Sequence, residues 1–228
     1  MGILLNALVI AIGALIGSQL KKGISGDNFQ TLGISIVIVS LVGFFENVYN
    51  IEGGKLVSGG LILVLVAFIV GSKIGELLRL EERMSNLGIS ESGPRNAVLD
   101  AFLYFGIGGL QILGPIALAT RGDNSQLILK SLIDIPFAIV FGATYGKKTA
   151  WSAIPVALVQ VVIALVAWVF SSFFTERIIM EVCSMGFIIL FFSGFNLVSN
   201  SKNKISNLNM LPGVFLMLII SGIKEWLF

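Results

Sequence analysis

Between Ala150 and Phe174 the chain reads AWSAIPVALVQVVIALVAWVFSSFF, 25 residues without one charged side chain. Wound as a helix at about 1.5 Å per residue, this stretch is longer than the roughly 30 Å of hydrocarbon in a bilayer. Working outward, apolar runs of about 19 to 25 residues recur at Gly2 to Leu20, Thr31 to Tyr49, Leu56 to Leu78, Ala97 to Thr120, Leu127 to Tyr145, Ile178 to Val198 and Leu208 to Phe228. Hydrophobic residues make up 56% of the 228 and charged residues 12%, against about half and a quarter in a soluble domain. The expected fold is therefore all-α and polytopic: one domain, residues 1–228, a bundle of about eight transmembrane helices. Gly106, Gly108, Gly109, Gly114 and Pro115 leave the fourth run open to a second reading, as a broken or re-entrant segment beside seven full crossings. The first run starts at Gly2 with no basic leader or small-residue cleavage site, and reads as a retained helix.

The same composition narrows function. One cysteine, Cys183, and no histidine exclude disulfide frameworks, CxxC redox pairs, Cys/His metal sites and every imidazole-dependent triad. A net charge of +2 and basic residues scattered in short clusters give no nucleic-acid face. No GxxxxGK[ST] cradle is present. The expectation is a protein that is not an enzyme and uses no cofactor or metal, with the lipid bilayer and a small solute or ion as its partners.

Orientation follows from the basic residues. Lys21, Lys22, Lys73, Arg79, Arg83, Arg95, Lys147, Lys148, Lys202 and Lys204 fall on one side of an eight-span arrangement, and Lys55, Arg121, Lys130, Arg177 and Lys224 on the other. The richer side is expected to be cytoplasmic, with both termini outside. Gly13/Gly17, Gly71/Gly75 and Gly142/Gly146 each end an odd-numbered run before basic residues, as in a parallel repeat. Gly33 and Ser40 against Gly186 and Ser193 would instead fit an inverted one. Both readings stay open, and the GxxxG faces make a homodimer plausible.

Polar residues inside hydrocarbon are costly and mark packing or function. In the fifth run Asp134 lies four residues after Lys130 and three after Ser131, so the three share a helix face. Pro136 is expected to kink that helix and free the carbonyl of Leu132 beside the carboxylate. Pro115 would do the same for Gln111. The competing explanation is a structural Lys130 to Asp134 pair. Asn6, Gln160, Asn196 and Asn209 are amides that could bind a ligand or simply join helices. Glu46 with Asn47, and Glu76 with Arg79, read as pairs near helix ends. Trp151, Trp168, Trp226, Tyr49, Tyr104 and Tyr145 read mostly as interfacial belts. The candidate binding set is Asp134, Lys130, Ser131, Gln111, Asn6, Gln160 and Asn196.

Several stretches carry a resemblance: Gly2 to Leu8, Gly71 to Leu78 running into Leu80-Glu81-Glu82-Arg83, Lys130 to Asp134, Gln160, Gly194-Phe195-Asn196-Leu197, and Asn209 to Pro212. Together they resemble the YdfK/YqgA-like bacterial membrane proteins, a family described as a domain of unknown function. Leu110, Gln111 and Val161 depart from its usual pattern, which has Met near position 110 and Gly after the glutamine. The resemblance implies a bacterial inner-membrane protein, often labelled a transporter without an assigned substrate. Two other functions compete with transport. One is a structural or interaction subunit of a membrane complex. The other is an intramembrane enzyme, which would need a second carboxylate, Glu181 for instance, beside Asp134.

Overall fold

The computed structural model describes residues 1–20, 26–52, 55–58, 60–86, 97–106, 109–199 and 205–227. Lys21, Lys22, Arg95, Gly108, Lys202, Lys204 and Phe228, named above, lie outside the described residues. Among the described residues ten α-helices follow one another: α1 (Gly2–Ser18), α2 (Gly26–Val48), α3 (Leu61–Leu77), α4 (Leu80–Asn86), α5 (Ala97–Gly106), α6 (Gly109–Arg121), α7 (Ser125–Tyr145), α8 (Ala153–Val169), α9 (Glu176–Val198) and α10 (Leu211–Leu227). Four helical stretches, Ser125–Tyr145, Lys147–Val169, Arg177–Val198 and Leu208–Leu227, are long and apolar enough to cross a membrane. Gly2–Ser18 and the Gly33–Val48 part of α2 are apolar but shorter.

One feature departs from the sequence expectation. A short hairpin, β1 (Tyr49–Glu52) and β2 (Lys55–Ser58), joins α2 to α3, with Tyr49 opposite Ser58 and Glu52 opposite Lys55. The run Leu56 to Leu78 thus begins as strand, because Leu56 and Val57 pair with Ile51 and Asn50 before the helix starts. The fourth run holds α5 and α6, and residues 107 and 108 between them lie outside the described residues.

Neighbouring elements run in alternating directions. The backbone nitrogen of Gly2 donates to Asn124 Oδ1 at 2.9 Å, which puts the starts of α1 and α7 at one end of the bundle. Gly60 abuts Glu181, and Lys224 reaches the same carboxylate, so the starts of α3 and α9 and the end of α10 lie together. At α4 and the turn before α10, Glu81 N donates to Asn209 Oδ1 at 3.4 Å.

Small residues set the helix pairs. On α1, a Cβ at Gly13 would stand 2.7 Å from Ala138 Cβ, and one at Gly17 would strike the carbonyl of Ile139; from α7, one at Gly142 would strike the carbonyl of Ala14. The two helices run parallel with their backbones in direct contact, the close approach that glycine allows in lipid. α2 and α9 approach as closely but antiparallel, Gly33 near the start of α2 and Gly194 near the end of α9 each facing the other's carbonyl oxygen. α3 meets α10 at Gly71 and Gly213. The glycine spacing read in the sequence is therefore used for packing within the chain.

The exterior is apolar. Leu4, Leu8, Ile12 and Ile16 of α1, Ile34 and Ile38 of α2, and Leu158, Val162 and Leu165 of α8 are all exposed. So continuous an apolar exterior belongs to a membrane protein. Trp151, Trp168, Trp226 and Tyr145 are exposed near helix ends, as interfacial aromatics are. Glu76 pairs with Lys73 at 2.8 Å, while Arg79 pairs with Glu82 at 3.7 Å, so the expected Glu76 to Arg79 pair gives way to its helical neighbours. In the loop before α7, hydrogen bonds from the Ser125 side chain and backbone, with Arg121 adding its charge, hold the Asp123 carboxyl below the usual carboxylate range.

Candidate polar site around a buried ion pair

Lys130, Ser131 and Asp134 fall on the buried face of α7 with Leu127, Phe137, Ala138 and Phe141, as their three- and four-residue spacing requires. Lys130 Nζ donates to Asp134 Oδ2 at 2.8 Å, and both side chains are 7% exposed. The ammonium also donates to the carbonyl of Phe105 at 2.9 Å. The lysine thus holds the carboxylate of its own helix and a backbone oxygen of α5.

The carboxylate is held from a second direction. Asn6 Nδ2, on α1, donates to Asp134 Oδ2 at 2.7 Å. Asn6 Oδ1 accepts from Gln160 Nε2 of α8 at 3.0 Å, and the same nitrogen donates to Gln111 Oε1 of α6 at 2.9 Å. Gln111 Nε2 then donates to the carbonyl of Val156 at 3.2 Å. The two ends of this chain fix its polarity. A carboxylate must be met by the nitrogen of Asn6, and a carbonyl by the nitrogen of Gln111, so each amide turns its oxygen toward Gln160. Gln160 uses its nitrogen twice and leaves Oε1 without a partner among the described residues.

Five of the seven candidates therefore form one network over α1, α6, α7 and α8, and α5 adds a backbone carbonyl. Ser131 is buried beside it but donates back to the carbonyl of Leu127 at 2.7 Å. Asn196 lies elsewhere: its amide donates to the Ile205 carbonyl at 2.7 Å and accepts from the Ile205 nitrogen at 2.9 Å, clamping the chain after α9. Pro136 sits within a continuous α7, and Leu132 faces outward, 61% exposed. The carbonyl that reaches the pair is Phe105's, not the expected one of Leu132, because the helix face of Leu132 is turned away from Asp134.

A cavity of about 30 Å³ lies against the pair, lined by Tyr104, Gln111, Lys130 and Asp134 with Ile36, Phe105, Leu110, Ile133 and Leu190. It has room for about one or two water molecules. Tyr104, an interfacial aromatic by its sequence position, packs instead on Phe137 and Phe141, with ring centroids 4.7 and 5.1 Å apart. Its hydroxyl has no partner among the described residues. No spacing in the sequence singles it out. Glu181 stands apart from Asp134; its partners are Lys224 at 2.6 Å and Arg177 at 3.7 Å, a buried carboxylate joining α9 to α10.

The family model for a protein of unknown function, DUF554, matches residues 1–222. The chain belongs to this family. It is similar to the uncharacterized membrane protein YdfK of Bacillus subtilis (strain 168), 29% identical over 221 residues covering 94% of this chain and 93% of that one. It is also similar to the uncharacterized protein YqgA of Escherichia coli (strain K12), 23% identical over 243 residues covering 97% and 96%. No solved structure matches the chain. Of the residues that carry the resemblance, Asn6, Lys130, Asp134 and Gln160 lie inside the network.

Gln160 is the hub that a substitution isolates most cleanly. In Gln160→Leu the oxygens of Asn6 and Gln111 lose their shared donor in a dry setting, at a cost of about 1–3 kcal/mol. The expected result is a lower unfolding midpoint in detergent, largely restored in Gln160→Glu only under conditions where the introduced acid is protonated and donates.

Proposed function

We propose that the protein crosses the bilayer eight times and acts as a secondary transporter or permease for a small solute or ion, with the Lys130 to Asp134 pair at its centre. The observation that carries this reading is a buried ion pair beside a cavity: Lys130, Asp134 and Gln111 line it together, and the Phe105 carbonyl of α5 meets the same ammonium. Transporters gather polar side chains and backbone carbonyls around a ligand near the membrane midplane. Asp134 is near the middle of the 21-residue α7, and an ionisable group at that depth is a functional position by default.

The alternating helix directions support eight crossings, α5 and α6 counting together as one. The positive-inside rule then assigns the Lys147 and Lys148 end to the cytoplasm and both termini to the outside, in a bacterial inner membrane. The work at the site is binding and release rather than bond making. An interaction subunit without transport would need exposed faces of small residues. Gly13, Gly17, Gly33, Gly71, Gly142, Gly194 and Gly213 instead pack against other helices of the same chain.

Uptake into proteoliposomes tests the reading, with a panel of labelled small carboxylates, amines and inorganic ions as probes. One class is expected to accumulate, and Asp134→Asn or Lys130→Ala should reduce its uptake to that of protein-free vesicles. Uptake that survives both substitutions would remove the site from the transport path.

A further inference from the structure

Resting on the reading of this pair as the working centre, we infer that Lys130 is the site's own built-in cation, and that the ion exchanged at Asp134 is a proton rather than a metal ion. A backbone carbonyl and a nearby carboxylate make a seat for a cation. Here that seat is filled. Lys130 Nζ lies 2.9 Å from the Phe105 carbonyl and 2.8 Å from Asp134 Oδ2. A metal ion could take those two oxygens only by displacing the ammonium.

The remaining oxygens are too few for a hard cation, which takes six or so. The bonds from Asn6 and Lys130 both fall on Asp134 Oδ2 and leave Oδ1 to the cavity, Tyr104 Oη has no partner among the described residues, and Gln111 Oε1 already accepts from Gln160. That set of one ammonium, one phenol, one amide and one free carboxylate oxygen suits water, which both donates and accepts. The cavity is also the size of water.

The step balances without an outside reagent. A hydronium in the cavity gives its proton to Asp134 Oδ1; an O–H bond forms on the carboxyl as one breaks on the hydronium, and water remains. The carboxylic acid no longer holds the ammonium by charge, so Lys130 loses its hold on Asp134 within α7 and keeps the Phe105 carbonyl of α5 alone. Among the described residues that line the cavity or bond to the carboxylate, the titratable groups facing Asp134 are Lys130 on its own helix and Tyr104 from α5. Asn6, Gln111, Ile36 and Leu190 present uncharged groups from α1, α6, α2 and α9.

The test uses the purified full chain in detergent, in sodium, potassium or choline chloride at equal ionic strength. Wild-type thermal unfolding should be the same in all three salts, whereas Lys130→Ala, with its cation seat emptied, should gain Tm in sodium or potassium over choline. Acidifying the wild type should also raise a carboxylic-acid band in the infrared difference spectrum that Asp134→Asn lacks. Sodium or potassium stabilising the wild type, a folded Lys130→Ala indifferent to both, or an acid-induced band that persists in Asp134→Asn would each overturn the assignment. Should Lys130→Ala not fold, the wild-type salt series and the infrared pair still decide. These are equilibrium readings, so an absence of uptake in vesicles would defeat the transport reading and leave them standing.

Discussion

Lys130→Met should destabilise the protein by about 3–5 kcal/mol, the cost of leaving a buried carboxylate without its counter-charge. The side chain is 7% exposed, so water offers Asp134 little relief. The double variant Lys130→Met with Asp134→Asn should recover more than half of that loss. The introduced amide would still accept from Asn6, and no charge would remain in the hydrocarbon; only the Phe105 carbonyl would be left short of a donor. Unfolding by SDS titration from mixed micelles measures both. Recovery in the double variant separates the two roles of the pair: stability should return while uptake does not. If the double variant is as unstable as the single, the charge of Asp134 is not what the lysine compensates.

The second large effect is expected from Gly17→Leu. A Cβ there meets the Ile139 carbonyl, which is backbone and cannot swing aside as a side-chain tip would. Overpacking of this kind typically costs about 1–3 kcal/mol, occasionally more, and this contact lies in the α1 to α7 pair that brings Asn6 to Asp134. Helix separation would lengthen the 2.7 Å bond from Asn6 as well as lowering the unfolding midpoint. Gly222→Leu provides the contrast: its neighbour is the ring of Phe173, a side chain exposed at the protein surface that can turn away. A Gly17→Leu variant as stable as Gly222→Leu would mean that α1 and α7 do not approach as closely as described.

How much of this is legible in the sequence depends on sequence distance. The spacing of Lys130, Ser131 and Asp134 declares a shared helix face because a single helix sets it. The apolar runs mark the helices for the same local reason. What joins Asn6 to Gln160 spans 154 residues, and no period in one sequence relates them. Tyr104 reads as interfacial because an aromatic near a helix end usually is; its packing on Phe137 and Phe141 of α7 is a tertiary fact. The β1 to β2 hairpin hides in an apolar run because Leu56 and Val57 suit a strand and a membrane helix alike. Pro136 points to Leu132 for the carbonyl at the site, yet that carbonyl comes from Phe105 on another helix, 25 residues from Lys130.

A transporter working through Lys130 and Asp134 must open that pair to water, and a thiol beside it would then react with an aqueous reagent. Leu110→Cys, which lines the cavity without joining the network, would be placed in a Cys183→Ser background and treated in vesicles with a small charged methanethiosulfonate. The thiol at position 110 should be modified from an aqueous face, more slowly when Asp134 is replaced by Asn. A cysteine there that stays unmodified from both faces, in protein that remains folded, would contradict this opening.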